Sequence, residues 1–195
     1  MTYKKKALKL KTITLKNRIY RFAWRIAYIF LFRFTLIFMH KWRIFLLRLF
    51  GAEISNSCYV YPDVRIWSPE NLKMSPGSTL GPNVNCYNCD LVILGVNTTV
   101  SQDVTLCTGT HDASKQSFSD DPKMPLLVAP IVLKDFCWIT AEVFIHPGVT
   151  VDEGSVVSAR SVVNHSLSSW GIYAGFPAKR IGDRKIFSNK GDIND

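Results

Sequence analysis

His111 stands in Thr108-Gly109-Thr110-His111-Asp112, at the point where a regular run of short apolar units stops and a long polar segment begins. Imidazole takes and returns a proton near neutral pH, so a histidine at the root of a loop, facing a cleft, suits general-base activation of a hydroxyl. Asp112 can orient that ring or meet a substrate hydroxyl; adjacent residues also often point apart, which would leave it a solvated loop acid. Upstream, Asn85, Tyr87 and Asn88 carry amide and phenol groups able to hydrogen-bond hydroxyls, and Tyr87 adds a ring that can stack on a sugar face. Asn85 equally suits an asparagine ladder at the turns of a stacked β array. Cys86 and Cys89 have CxxC spacing, but no second CxxC, histidine pair or helix start accompanies them. Small core residues with free thiols are therefore the expectation for the cysteines. His40, His146 and His165 share no ligand spacing with His111, which argues against a three-histidine zinc centre and assigns no metal site.

What holds these residues in place follows from one period. Leu133, Ile139, Ile145, Val151, Val157 and Val163 recur at every sixth position, a spacing that neither an amphipathic helix nor an alternating strand produces. A second series two positions ahead, Ile131, Cys137, Val143 and Val149, continues as Ser155 and Ser161. The pattern predicts short flat strands, one per unit and three per coil, stacked as a parallel β-helix because no rung buries its inner face alone. Upstream the phase runs through Ile54, Val60 and Ile66, then Met74, Leu80 and Cys86, then Leu94, Val100 and Leu106. It resets at Ser68-Pro69-Glu70-Asn71, at Asn88-Cys89-Asp90 and over residues 108–127, where loops should leave the prism. The last reset, rich in Ser, Asp, Lys and Pro, is long enough to read as functional. Unrelated strands in a sandwich would not hold phase over so many units.

Residues 1–50 hold 13 of the 24 Lys and Arg residues and neither Asp nor Glu. The rest of the chain carries 11 basic against 15 acidic groups, so the formal charge of +9 belongs to this arm. A nucleic-acid binder would spread basic and aromatic residues over a folded face; a mildly acidic body argues against nucleic acid as a partner. Segment 19–50 is dense in Phe, Ile, Leu and Trp but interrupted by Arg25, Arg33, Arg43 and Arg48. Its uncharged runs, 26–32 and 34–39, fall far short of the roughly 20 apolar residues of a spanning helix. An arginine at the bilayer centre would cost about 2.5–3.5 kcal/mol on an insertion scale. The composition predicts instead helices lying in an anionic lipid interface, with Trp24, Trp42 and the phenylalanines in the lipid and Lys4-Lys5-Lys6 at the head groups. The alternative is that the helices cap the first coil or pack on a neighbouring subunit. The start shows no signal-peptide cleavage pattern, so the expected location is cytoplasmic, peripheral at the inner face of the membrane.

Several motifs occurring together carry a resemblance over about residues 40–182. They are Arg48-Leu49-Phe50-Gly51-Ala52-Glu53-Ile54, Asn83-Val84-Asn85-Cys86-Tyr87-Asn88, Thr108-Gly109-Thr110-His111-Asp112, Pro130-Ile131-Val132-Leu133, Trp138-Ile139-Thr140-Ala141, Pro147-Gly148-Val149-Thr150-Val151 and Ala174-Gly175-Phe176-Pro177-Ala178-Lys179. In combination the chain resembles the hexapeptide-repeat acyltransferases, in the maltose, galactoside and nodulation acetyltransferase group, and within it the colanic acid biosynthesis acetyltransferases. The resemblance implies an all-β, left-handed parallel β-helix, an exception to right-handed crossovers, and a homotrimer with sites between subunits. It implies acetyl-CoA as co-substrate, a saccharide acceptor met by Asn85, and His111 as the base that takes the hydroxyl proton and returns it to the departing thiolate. Ala141 and Ala159 match positions whose backbone meets CoA, and Lys179, with Arg180 beside it, matches a basic site near the nucleotide phosphates. The chain departs from the pattern where Thr140 and Arg160 replace glycine and where Asn164-His165 replaces Thr-Lys. Arg160 is then the candidate substitute for the missing lysine.

The expected domains are a basic amphipathic helical arm (1–50), the β-helix (51–175) with its loop 108–127, and a short C-terminal helix and tail (176–195). The expected activity is O-acetylation of a saccharide hydroxyl, in an exopolysaccharide or capsule precursor carried by lipid. Two other readings stay open: a serine acetyltransferase-like enzyme, which would carry a much larger helical N-terminal domain, and a non-catalytic scaffold, which has no need of a histidine at a loop root.

Overall fold

The computed structural model describes residues 8–11, 13–111 and 126–185. Residues 53–174 wind into a parallel β-helix whose rungs form three sheets, two of five strands and one of six that Lys179–Asp183 extends to seven. The six-residue phase survives each reset. Ile54 pairs with Met74, Met74 with Leu94, Leu94 with Leu133 and Leu133 with Val151 on one wall. Val60, Leu80, Val100, Ile139 and Val157 stack on the second. Ile66, Cys86, Leu106, Ile145 and Val163 stack on the third. Each of these residues is buried, and the residues two positions ahead, from Ala52 and Cys58 to Ser155 and Ser161, fill the space between the columns. Rungs spaced about 4.8 Å apart make a continuous apolar spine from units too short to be stable alone.

Turning every six residues demands corners in the left-handed backbone region. Gly77, Asn97, Phe136, Gly154 and Trp170 adopt positive φ along one edge, and Asn83, Asp103, Glu142 and Arg160 along the next. Glycine is required at Gly154, where φ is +69° and an added Cβ would lie 2.4 Å from the Trp170 ring. Gly154→Ala is expected to destabilise the chain by about 1–3 kcal/mol through that overlap, read as a lower midpoint in thermal unfolding.

At the first two resets the chain leaves the prism and must satisfy its freed backbone groups elsewhere. Asn88 does this: its Oδ1 accepts from Ser68 N at 3.0 Å and its Nδ2 donates to Ser68 O at 2.7 Å, fully buried. At the third reset Gly109–His111 departs as a strand antiparallel to Leu126–Val128, and Lys9–Leu10 adds a third strand to that ribbon.

The arm forms helix α1 (Leu15–Ala27), a π-helical turn (Tyr28–Phe32) and helix α2 (His40–Leu49). Thr14 caps α1 by accepting from Asn17 N, as expected of a threonine at that position. Trp24, Ala27, Phe32, Ile44, Leu46 and Leu47 are buried in the core that continues into the first coil. Trp24 donates to Ile66 O at 2.7 Å. The lipid-facing position expected for Trp24 is thereby corrected: its large ring closes the open end of the prism, where apolar rung residues would otherwise meet water. The C-terminal helix expected from 176 is also corrected. Lys179–Asp183 is a strand antiparallel to Gly171–Ala174, because the last rung offers an open sheet edge that main-chain pairing satisfies; residues 186–195 lie outside those described.

Candidate functional site

The wall carrying Ile66, Cys86 and Leu106 inward presents the residues flanking them outward. Arg65 and Trp67 lie on the first coil, Asn85 and Tyr87 on the second, and Thr105 and Cys107 on the third, in register. His111 is exposed, four residues past Cys107, on the strand paired through Leu126. Gly109 holds this root close to the wall: a Cβ on it would lie 3.2 Å from the Tyr87 ring and 3.4 Å from Cys89 Sγ. The tertiary structure therefore sets Asn85 and Tyr87 on one outer face and brings Gly109, two residues before the exposed His111, against Tyr87. Asp112 lies outside the described residues.

Tyr87 is more constrained than its sequence context implies. Its ring packs on Trp67, centroids 4.9 Å apart. Burial pushes its phenol up to about 12, helped by a hydrogen bond to Cys89, so it stays neutral and able to donate across the physiological range. The placement of Asn88 corrects the expectation that it meets the acceptor: both ends of its amide are spent on Ser68 inside the fold. Cys86 points into the core, its thiol pushed up to about 12 by burial, and burial also raises Cys89. All five cysteines are free thiols, so the CxxC spacing joins two buried side chains and makes no pair.

The other histidines are occupied elsewhere. His40 Nδ1 lies 2.9 Å from Val60 O in the arm, and His165 Nδ1 lies 3.0 Å from Asn164 Oδ1. His146 sits against Phe144 on the upper part of the wall, and burial lowers its pKa. Among the described residues no three His, Cys, Asp or Glu side chains are grouped to hold a metal.

The residues matched to the donor gather at the upper end of one corner. Arg160 N donates to Ala141 O at 3.0 Å, stacking the two turns directly. Thr140 uses its hydroxyl to reach Val157 O at 2.7 Å. The hairpin above closes over them, with Ala178 N donating to Val162 O and Ala174 pairing with Lys179. Ala159 and Lys179 are exposed. Arg160 has φ +60°, the conformation that explains why glycine is usual there, and its guanidinium grips Glu142 at 2.9 and 3.3 Å. Arg180 is likewise paired, with Asp183 at 2.6 Å. Both pairs are solvent-exposed and therefore weak, so an anionic ligand can compete for either arginine.

No family model matches the chain. A colanic acid biosynthesis acetyltransferase, WcaF of Escherichia coli strain K12, is 38% identical over 146 residues, 75% of this chain and 77% of its own. The chain belongs to the hexapeptide-repeat acetyltransferases. Among solved structures of these acetyltransferases, the maltose O-acetyltransferase from Clostridium difficile 630 superposes with a TM-score of 0.77 at 20% identity, over 95% of this chain and 99% of its own. A hexapeptide-repeat acetyltransferase from Vibrio cholerae O1 biovar eltor, complexed with acetyl coenzyme A, gives 0.76 at 23% identity, over 95% and 100%. The coil is thus the left-handed β-helix of these acetyltransferases.

Sequence reasoning names Arg25 only as a break in the apolar arm and does not single out Arg21, Arg65 or Trp67, which lie together beside this wall. Arg65 and Trp67 flank Ile66 as Asn85 and Tyr87 flank Cys86, so carrying the six-residue phase one coil down would have found those two. Nothing in the period points to Arg21 and Arg25, which reach the wall from α1.

Proposed function

We propose that this acetyltransferase moves an acetyl group from acetyl-CoA to a hydroxyl of a saccharide, with His111 as the general base. The observation that supports the reading is the exposed position of His111 on the strand whose first residue, Gly109, lies against Tyr87. In the reaction an imidazole nitrogen of His111 takes the hydroxyl proton as the oxygen attacks the thioester carbonyl carbon. The C–S bond breaks as the tetrahedral intermediate collapses, and the imidazolium protonates the sulfur, leaving an acetyl ester and free CoA. Asn85 offers amide hydrogen bonds to acceptor hydroxyls. Ala141, Ala159, Thr140, Arg160, Lys179 and Arg180 form the donor edge, where Lys179 and the arginines meet phosphates. Asp112 follows His111 directly and is the candidate to orient it. A homotrimer, with the donor edge of one subunit facing the loop of the next, fits these separated halves; the exposed Phe136 and Trp138 beside that edge support a neighbour there. Purified protein should release thiol from acetyl-CoA only when a saccharide acceptor is present, and release without acceptor dependence would defeat the reading.

The arm supports a second part of the proposal, attachment at an anionic membrane surface. No helix among the described residues is long and apolar enough to cross a membrane. Yet Phe30, Phe34, Leu36, Ile37 and Phe38, at the tip joining the two helices, are 61–80% exposed. Their backbone is satisfied from within: Trp42 Nε1 donates to Leu31 O, Thr35 Oγ1 to Phe32 O, and the buried Arg43 to the carbonyls of Leu36 and Ile37. Internal pairing of that kind is what hydrocarbon demands and water does not. Exposed Arg25, Arg33 and Lys41 lie alongside, with no acid in the arm. Vesicles rich in phosphatidylglycerol should bind the wild type, and the triple change of Phe30, Phe34 and Phe38 to serine should abolish that binding; equal binding by both proteins would show that the tip does not meet lipid.

A further inference from the structure

Between α1 and the lowest coils lies a half-open cavity of about 300 Å³ lined by Arg21, Trp24, Arg25, Tyr28, Arg65 and Trp67. Three guanidinium groups converge on it with no carboxylate in the lining, and among the described residues none of the three forms an ion pair. Arg21 is held in place: its guanidinium stacks 4.3 Å over the Trp67 ring and its Nε donates to Asn17 Oδ1 at 3.0 Å. Stacking on an aromatic face leaves the edge N–H donors of a guanidinium free for a second partner. Like charges gathered round a cavity repel one another; Asp63, whose charge is felt at Tyr28 beside that of Arg65, is one acid set against three guanidinium groups, so an anion received by the cavity relieves the remaining repulsion.

The cavity continues the proposed acceptor face. Trp67 contacts Tyr87, and Arg65 stands beside Asn85 in the sheet. Arg65 and Trp67 lie two rungs below Thr105 and Cys107, about 10 Å at the strand spacing of a sheet, a span comparable to a short saccharide. We infer that this cavity binds a phosphate or diphosphate ester joined to the acceptor saccharide, so that the acceptor is an activated, phosphate-linked sugar and not a free one. The inference rests on the reading of this face as the acceptor site. Three arginine forks present more donors and more positive charge than one carboxylate can use, whereas a diphosphate offers several oxygens and at least two negative charges. Trp67 and Tyr28 add apolar surface for the adjoining sugar or prenyl group.

The test is calorimetric titration of the full-length protein, with saturating CoA present to occupy the donor edge, using three probes: methyl galactoside, uridine diphosphate galactose and a short-chain prenyl diphosphate galactose. Either diphosphate probe should bind at least tenfold more tightly than the methyl galactoside. Arg65→Gln and Arg25→Gln, both at exposed residues that leave the core intact, should each cost about tenfold in that affinity, and Arg65→Lys should restore part of it. Tighter binding of the prenyl probe than of the uridine probe identifies a lipid-linked acceptor, and the reverse a nucleotide-linked one. Equal affinity for all three probes, or no effect of either glutamine variant, would overturn the inference. These readings do not depend on turnover: thiol release by the wild type with a saccharide acceptor tests the transferase reading by itself, so failure of that reading and failure of the phosphate site are separately visible.

Discussion

His111→Ala is expected to lower acceptor-dependent thiol release from acetyl-CoA by about 10²-fold or more, the range that positioned general bases contribute. A sugar hydroxyl is almost wholly protonated at neutral pH, and direct transfer offers no enzyme nucleophile to share the work. The loss should fall on turnover. The proposed donor edge around Ala141, Arg160 and Lys179 lies on other rungs, so acetyl-CoA affinity should be unchanged. Folding should be unchanged too, because His111 is exposed on the ribbon and surface changes of this kind stay within about 0.5 kcal/mol. Transfer retained within a few-fold, with acceptor dependence intact, would remove His111 from the chemistry and return the scaffold reading to the front. Thiol release measured beside donor calorimetry and thermal unfolding separates these cases.

Arg43→Met should be the most destabilising single change in the arm, by about 3–5 kcal/mol, as for a broken buried charged network. Arg43 is fully buried and its guanidinium reaches Val60 O at 2.6 Å, Thr35 Oγ1 at 2.7 Å and Leu36 O at 2.8 Å, with Ile37 O at 2.5 Å. Burial lowers its pKa and the charge of Asp63 raises it, so Asp63 is its electrostatic support. Methionine fills much of the same volume but leaves four acceptors without their donor, and it strands Asp63, whose Oδ1 is already buried without a hydrogen-bond partner among the described residues. Denaturant unfolding should show the loss, and limited proteolysis should cut first within residues 33–39, where the bonded carbonyls lie. Arg43→Lys keeps the charge but not the fork and should fall between the two. Stability of the methionine variant within 1 kcal/mol of wild type would mean that water takes over these carbonyls, and the argument for a lipid-facing tip would lose its base.

The six-residue alternation by itself determined the β-helix, the inward columns and the three places where the chain leaves them, because each rung can bury its inner face only against an identical neighbour. His111 was legible for the same reason: a break in a strict period is visible, and a histidine beside it stands out. Asn88 was not, since only the folded chain reveals that the reset strands the Ser68 backbone and that an amide must repair it. Lys179–Asp183 was read as helix because local composition does not reveal an unpaired sheet edge. Trp24 could have faced lipid or protein from its spacing alone; the open end of the prism decided it. Tertiary structure alone brought Arg21 and Arg25 of α1 onto Arg65 and Trp67. That meeting depends on how a helix seats over the first coil, a contact between segments some forty residues apart in the sequence that no local period encodes.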